Sequence, residues 1–193
     1  MGLADENGKN RIGFFWTDDG ASLIIGDDQN ITRIQLNVTK NGEPSIILCD
    51  EKGNTRGVLN VNDDGSLLSL NDENGNERIQ LNVNPDGEPL LNLYDENGNS
   101  RVGLYGTENG PSLSLGNDKG NTCVELFESR DGGFLCLKDE EDNINGYLSI
   151  GEDGLELSLC EEKGNPRLKL GFIEGKPNLS LYDEKENKIW SAP

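Results

Sequence analysis

The chain is 193 residues long, with 36 acidic against 17 basic side chains, a formal net charge of −19 and no histidine. That balance makes nucleic acid and anionic membrane surfaces poor partners, and without histidine a Ser-His-Asp or Cys-His nucleophilic centre is excluded. Only 33% of the residues are hydrophobic, a fraction low enough to raise disorder as an alternative, but Ile, Leu and Val recur too regularly for a disordered chain.

The recurrence has a period. Units of 22 or 23 residues begin at Asp5, Asp27, Asp50, Asp72, Asp95, Asn117, Asp139 and Glu161, and a ninth opens at Asp183 and stops at Pro193. They read as a single domain over residues 1–193, eight units closed by the capping fragment 183–193. Each unit holds two short alternating apolar runs, such as Arg101 to Leu104 and Ser112 to Leu115, with Asn-Gly or Asp-Gly dipeptides between them. A dipeptide of that kind predicts a two-residue type I′ hairpin, whose central positions both need positive φ. No window keeps a 3.6-residue period without crossing a glycine turn, so no helix is expected.

Taken in order, the turns test the register. In the first unit, a loop at Asp19-Gly20 sets Trp16 opposite Leu23 and Phe14 opposite Ile25. In the third, Asp64-Gly65 sets Val61 opposite Leu68. At the head of the fifth, Asn97-Gly98 sets Leu93 opposite Val102 and Leu91 opposite Leu104, and Asn109-Gly110 then sets Leu104 opposite Leu115. In the seventh, Asp153-Gly154 sets Ile150 opposite Leu157. Apolar meets apolar, and a one-residue slip would turn each leucine to the wrong face. The two 23-residue units carry their extra residue in G-E-P, at Gly42 to Pro44 and Gly87 to Pro89, where a bulge or a three-residue loop is expected.

Units one to five place Arg11, Arg33, Arg56, Arg78 and Arg101 at the head of the first strand, on the polar face and diagonal to the acidic pair of their own turn. Exposed pairs of this kind contribute up to about 1 kcal/mol. Units six and seven depart from the pattern: Cys123 and Asn145 replace the arginine, Glu128 enters an apolar column, and Asp142-Asn143 replaces the turn glycine. If one region leaves the scaffold to bind something, it is expected here. In the last fragment Ile189 starts one more strand and Trp190 caps the end of the core.

The fold class is therefore all-β, a continuous antiparallel meander of 22–23 residue hairpin repeats. An extended sheet with one apolar face cannot stay flat in water, so the meander is expected to roll onto that face as a flattened barrel, a sandwich or a spiral. A propeller with two repeats per blade is the alternative, opposed by the polar second face of Gln35, Asn37, Asn60, Gln80 and Asn82.

The recurring D-E-x-G-N-x-R-I-x-L-x-V, the stretch G-E-P-L-L-N-L-Y at Gly87 to Tyr94 and the ending K-I-W-S-A-P resemble a set of uncharacterised bacterial repeat proteins. Members of that set often carry a membrane segment or a coiled coil ahead of the repeats, and the resemblance brings no activity with it. Leu93 to Asn99 is also similar to the tyrosine-aspartate (RHS-type) repeats of large bacterial toxin shells, whose hairpins spiral into one sheet. Here the first unit starts close to Met1, and no apolar run is long enough for a transmembrane helix or a signal-peptide core.

No residue stands out as catalytic, cofactor-binding or metal-ligating. The acidic side chains recur at turn tips, not in an apolar cleft that would raise the pKa of one of them. No G-K-[ST] follows any glycine run, so there is no phosphate loop. Cys49, Cys123, Cys136 and Cys160 lie in separate units without zinc-ligand spacing. Calcium is the rival cofactor: Asn60 to Gly65 and Asn82 to Gly87 resemble the start of an EF-hand loop, but Asn71 and Leu93 stand where its bidentate Glu belongs. The sequence thus points to a non-enzymatic structural or binding module, a rigid spacer or platform for a protein or glycan partner on or outside a bacterial cell. A calcium-dependent adhesion module and an acidic decoy mimicking nucleic acid are the alternatives, and the sequence leaves the oligomeric state open.

Overall fold

A computed structural model describes residues 1–130, 132–151 and 154–192. Among them there is no helix, and the chain divides into two compact units, Met1–Gly98 and Asn99–Pro193. The first holds β1 (Gly2–Ala4), β2 (Asn10–Thr17), β3 (Gly20–Gly26), β4 (Thr32–Thr39), β5 (Pro44–Cys49), β6 (Thr55–Asn62), β7 (Gly65–Asn71), β8 (Glu77–Val83) and β9 (Pro89–Tyr94). The second holds β10 (Ser100–Thr107), β11 (Gly110–Gly116), β12 (Thr122–Ser129), β13 (Gly132–Lys138), β14 (Ile144–Gly151), β15 (Gly154–Cys160), β16 (Pro166–Ile173), β17 (Lys176–Tyr182) and β18 (Lys188–Ala192). Within each unit every strand pairs antiparallel with the next in sequence. The all-β meander expected from the repeats is what the chain forms.

Two kinds of loop alternate. The longer one opens each repeat, as at Asp50, where the Asp50 N–H donates to Asn54 O at 2.9 Å and the Gly53 N–H returns to Asp50 O at 3.1 Å. The same pair of bonds recurs at Asp5, Asp27, Asp72, Asn117 and Asp139. It is a three-residue loop, not the two-residue type I′ turn read from the sequence. The apolar pairing survives, because a bulge after Leu48 or Leu70 absorbs the extra residue and leaves Leu48 opposite Gly57 and Leu70 opposite Ile79. The G-E-P segments join this class: three residues separate Thr39 from Glu43 and Asn84 from Glu88, and each pair is closed by the same backbone bond.

The shorter loop also differs from its expected form. Thr17 faces Gly20, Asn62 faces Gly65 and Thr107 faces Gly110, so the loop is the two residues before the glycine. The register is shifted by two: Trp16 meets Ala21, Phe14 meets Leu23, Val61 meets Ser66, Leu104 meets Leu113 and Ile150 meets Leu155. Asp153 itself lies outside the described residues. A shift of two keeps every side chain on its face. The reason for the shift is that only the glycine adopts positive φ, at 112° for Gly65, and a Cβ there would lie 2.0 Å from Val83 O.

The side chain at the head of the longer loop holds it shut. Asp50 Oδ1 accepts the N–H of Lys52 and of Asn54, both at 2.9 Å, and Asp72 and Asp183 repeat the arrangement. The backbone N–H of Lys9 at Asp5, of Ile31 at Asp27 and of Asn143 at Asp139 is the largest influence on those carboxyls and holds each below its ordinary value. The arginines fall where the register put them: Arg33 Nη1 lies 3.3 Å from Asp27 Oδ2 while its Nε donates to Cys49 O at 3.1 Å. Arg56 likewise joins Asp50 to Asn71 O. Each links its own turn to the following strand.

The two faces are unlike. Among the described residues the fully or nearly buried side chains are Ser69, Ser158, Ser180, Cys136 and Asp95. The first four lie on the polar face, in ladders such as Ser22 to Asn37 to Ser45. Neither unit closes into a barrel, in keeping with a flattened meander, and the leucine columns stand open, Leu59 by 45% and Leu81 by 48%.

Two outcomes are expected from these loops. Because the Asp carboxyls sit below their ordinary value of 3.8, their contribution is complete above that value and is lost as pH falls through the lower folded values. The melting temperature should therefore drop steeply below about pH 4 in a thermal scan, where the chain, past its pI of 4.2, also gains net positive charge. Glu186 occupies the loop position of glycine with a φ of 61°. Glu186→Gly should raise stability by about 0.5–1 kcal/mol in urea unfolding, since a side chain with Cβ is strained in that conformation.

Candidate functional site

In the C-terminal unit the polar face changes character between β12 and β16. The register lays Phe127, Phe134, Ser149, Glu156 and Gly171 in one cross-strand row and Glu125, Cys136, Tyr147, Ser158 and Lys169 in the row beside it. Phe127 and Phe134, directly opposed, stack with ring centroids 5.0 Å apart and planes 10° from parallel, an arrangement that adds roughly 0.5–1.5 kcal/mol beyond the area it buries. Gly171 lets the β15 backbone approach closely: a Cβ there would lie 3.0 Å from Leu155 O and 3.2 Å from Glu156 Cα. An open concavity of about 460 Å³ lies beside these rows, lined from the polar face by Phe127, Phe134, Cys136, Tyr147 and Glu156 and at its end by Leu155 and Phe172, whose register places them with the leucines.

Glu156 is the polar centre of this region. It accepts from Lys169 Nζ at 3.0 Å, Ser158 Oγ at 3.0 Å and Tyr147 OH at 3.1 Å, all on its Oε1. Desolvation is the largest single influence and pushes its carboxyl up, but the three donors and the Lys169 charge outweigh it and leave the group below its ordinary value. Lys169 is held above its own ordinary value, the Glu156 and Tyr147 partners overcoming the desolvation that would lower it. Burial pushes the Cys136 thiol up. An ionised, triply bonded carboxylate is a poor general acid and a protonated thiol is a poor nucleophile. The arrangement is suited to holding a ligand with one apolar face and hydroxyl or amide groups at its edge.

Units six and seven are where the sequence departs from its own repeat, and this is where the concavity lies. The individual departures serve differently. Cys123, in place of the arginine, points its thiol toward Asn121 O at 3.7 Å; Asn145 and Glu128 are exposed, with Glu128 opposite Gly133; Asp142 keeps the loop's positive φ, at 68°, and pairs with Lys138. None of them lines the concavity. The residues that do were not singled out from the sequence, and the readable signal was the row itself. Phe127, Phe134 and Glu156 each precede or follow a leucine of the same column, at positions where several other units carry Ser or Asn, as at Ser22, Asn37, Ser45, Asn60, Asn82 and Ser112.

The loops read as calcium-like are spent on their own backbone. Asn62 Oδ1 accepts the Asp64 N–H at 3.0 Å, and Asn84 Oδ1 accepts the Glu88 N–H at 2.9 Å. Asn60 and Asn82, on either side of Leu67, have buried side-chain oxygens without a hydrogen-bond partner. Among the described residues no group of three or more Asp, Glu or Cys side chains is placed to hold a metal ion. The described cysteines are all free thiols, Cys49, Cys123 and Cys160 half-buried and Cys136 buried.

Fold and site together describe a β-hairpin repeat protein with an amphipathic concavity in its C-terminal unit. No family model matches the chain, and no curated protein matches it.

Lys169→Met tests the Glu156 network. Its removal should move the Glu156 carboxyl up toward 4.5, its ordinary value, in an NMR titration. The loss of stability at neutral pH should be no more than about 1 kcal/mol, because the pair is partly exposed. An unmoved Glu156 titration would show that Lys169 does not control it.

Proposed function

We propose that this chain is a non-enzymatic structural repeat module, a rigid spacer that also serves as an interaction platform for a protein or glycan on or outside a bacterial cell. The observation that carries the reading is the repetition of one loop clamp at the head of successive units, with the same backbone bonds at Asp5, Asp27, Asp50, Asp72, Asn117 and Asp139. A carboxylate spent on its own loop is committed to structure, and this accounts for the recurring acidic residue at the loop heads without a substrate. The platform part of the reading rests on the concavity between Phe127 and Phe172, whose stacked rings and hydroxyl-bearing rim suit the apolar face and edge of a sugar or a peptide.

Thermal unfolding in millimolar calcium, in magnesium and in chelator separates this reading from a calcium-dependent module. A melting temperature that agrees within about 1 °C across the three is expected, since a ligand bound only by the folded state would raise it by mass action. A rise of several degrees in calcium alone would replace the spacer reading with metal-dependent folding.

A further inference from the structure

Of the large apolar side chains that stand open among the described residues, all but Met1, Phe15 and Ile189 lie on the leucine face of their unit by strand register. In the N-terminal unit this face runs as a cross-strand column through Leu23, Leu36, Ile46, Leu59, Leu68 and Leu81, with a second column beside it through Ile34, Leu48, Leu70 and Ile79. We propose that this leucine face is covered by another copy of the same chain, so that the protein is a homo-oligomer assembled face to face.

The area argues for an occupant of protein size. Full burial of a Leu, Ile or Val side chain takes roughly 60–120 Å² from water. With roughly two-fifths of each exposed one still open, and Phe14 and Trp16 more so, the N-terminal unit alone presents on the order of 400–700 Å², at or above the largest apolar patch of a typical monomer. The C-terminal unit repeats the pattern with Leu104, Leu126, Leu137, Leu157 and Leu170. The N-terminal unit alone thus approaches the scale of about 800 Å² per partner that a stable interface needs.

The charge argues for a copy. In a molecule of net charge −19, the apolar columns of the N-terminal unit carry no ionisable side chain, while the loop clamps keep acidic groups at the strand ends. A second copy with the same charge can therefore approach on this face without bringing a carboxylate into an apolar interface. Parallel columns at the regular spacing of paired strands are also complementary to a like set, because one ridge of leucines fits between two. A lipid bilayer is the other apolar surface to weigh, but spanning strands need about 9–11 residues and the longest among the described residues have 8. The inference goes beyond the spacer reading and does not depend on it.

Light scattering on the full chain, with thermal melts at about 1 and 100 µM, tests the proposal. The expected mass is a whole multiple of 21.1 kDa, with a melting temperature that rises with concentration because association and folding are linked. Leu59→Lys combined with Leu81→Lys should bring the mass down to one chain while the β circular-dichroism signal remains, since both positions stand open in the single chain. Ile189→Lys, on the opposite face and 64% exposed, should leave the mass unchanged. If the double variant fails to fold, the concentration dependence of the unaltered chain decides. A mass of one chain with a melting temperature independent of concentration overturns the proposal, whether or not that chain binds liposomes. So does a folded double variant that keeps the multiple mass.

Discussion

The bond on which the rest of the structure depends is the one from a loop N–H to the side-chain oxygen at the head of the repeats that open with Asp or Asn. Asp50 Oδ1 takes two backbone donors that the strand ladder cannot reach, and so fixes how many residues the loop contains. Loop length fixes register, and register decides which face each leucine occupies. Where the head residue is Glu161 the longer side chain departs from this form: its Oε1 accepts from Asn165 Nδ2 and its other oxygen pairs with Arg167, while the Glu161 N–H to Asn165 O bond is kept. The conserved requirement within the chain is thus the closed loop, which more than one side chain can meet.

Much of this order was legible because period and alternation are properties of the sequence alone. The unit boundaries at Asp27, Asp50 and Asp139 coincide with the loop clamps, and the arginines lie beside their own acidic turns. The turn type was not legible, because an Asn-Gly or Asp-Gly dipeptide fits both a two-residue type I′ turn and a loop in which glycine alone is left-handed. The difference is decided by a side chain two residues earlier, as Asp72 shows through its bonds to Asn74 and Asn76. The pairing error of two in the short turns was invisible for the same reason that it was harmless: parity survives it.

The concavity was legible only as a region. Cys123, Glu128 and Asn145 drew attention to units six and seven, yet the lining comes from Phe127, Phe134, Tyr147 and Glu156. Those four are ordinary residues on an ordinary strand until the rows are aligned across four strands. A stacked pair such as Phe127 and Phe134 depends on register between neighbouring strands, and Glu156 becomes a network centre only when Tyr147 and Lys169 arrive from the strands on both sides. Repetition supplies the frame in which such departures can be read, and the departures are what distinguish one region of the polar face from another.

The same constraint explains why the polar face, and not the leucine face, holds the most buried side chains. Ser69, Ser158 and Ser180 are short and lie among longer neighbours that hydrogen-bond over them, so their burial comes at little cost in unsatisfied groups. Leucines in a single exposed layer have only each other, and a half-open side chain gains about half of its transfer free energy. Ordering a strand costs conformational entropy for every residue whichever face is covered, and ladder hydrogen bonds, largely exchanged for bonds to water, contribute modestly in net terms. The stability of this meander is therefore tied to how completely its leucine columns are taken out of water. The acidic loops, by keeping charge at the strand ends, leave that face free to be covered.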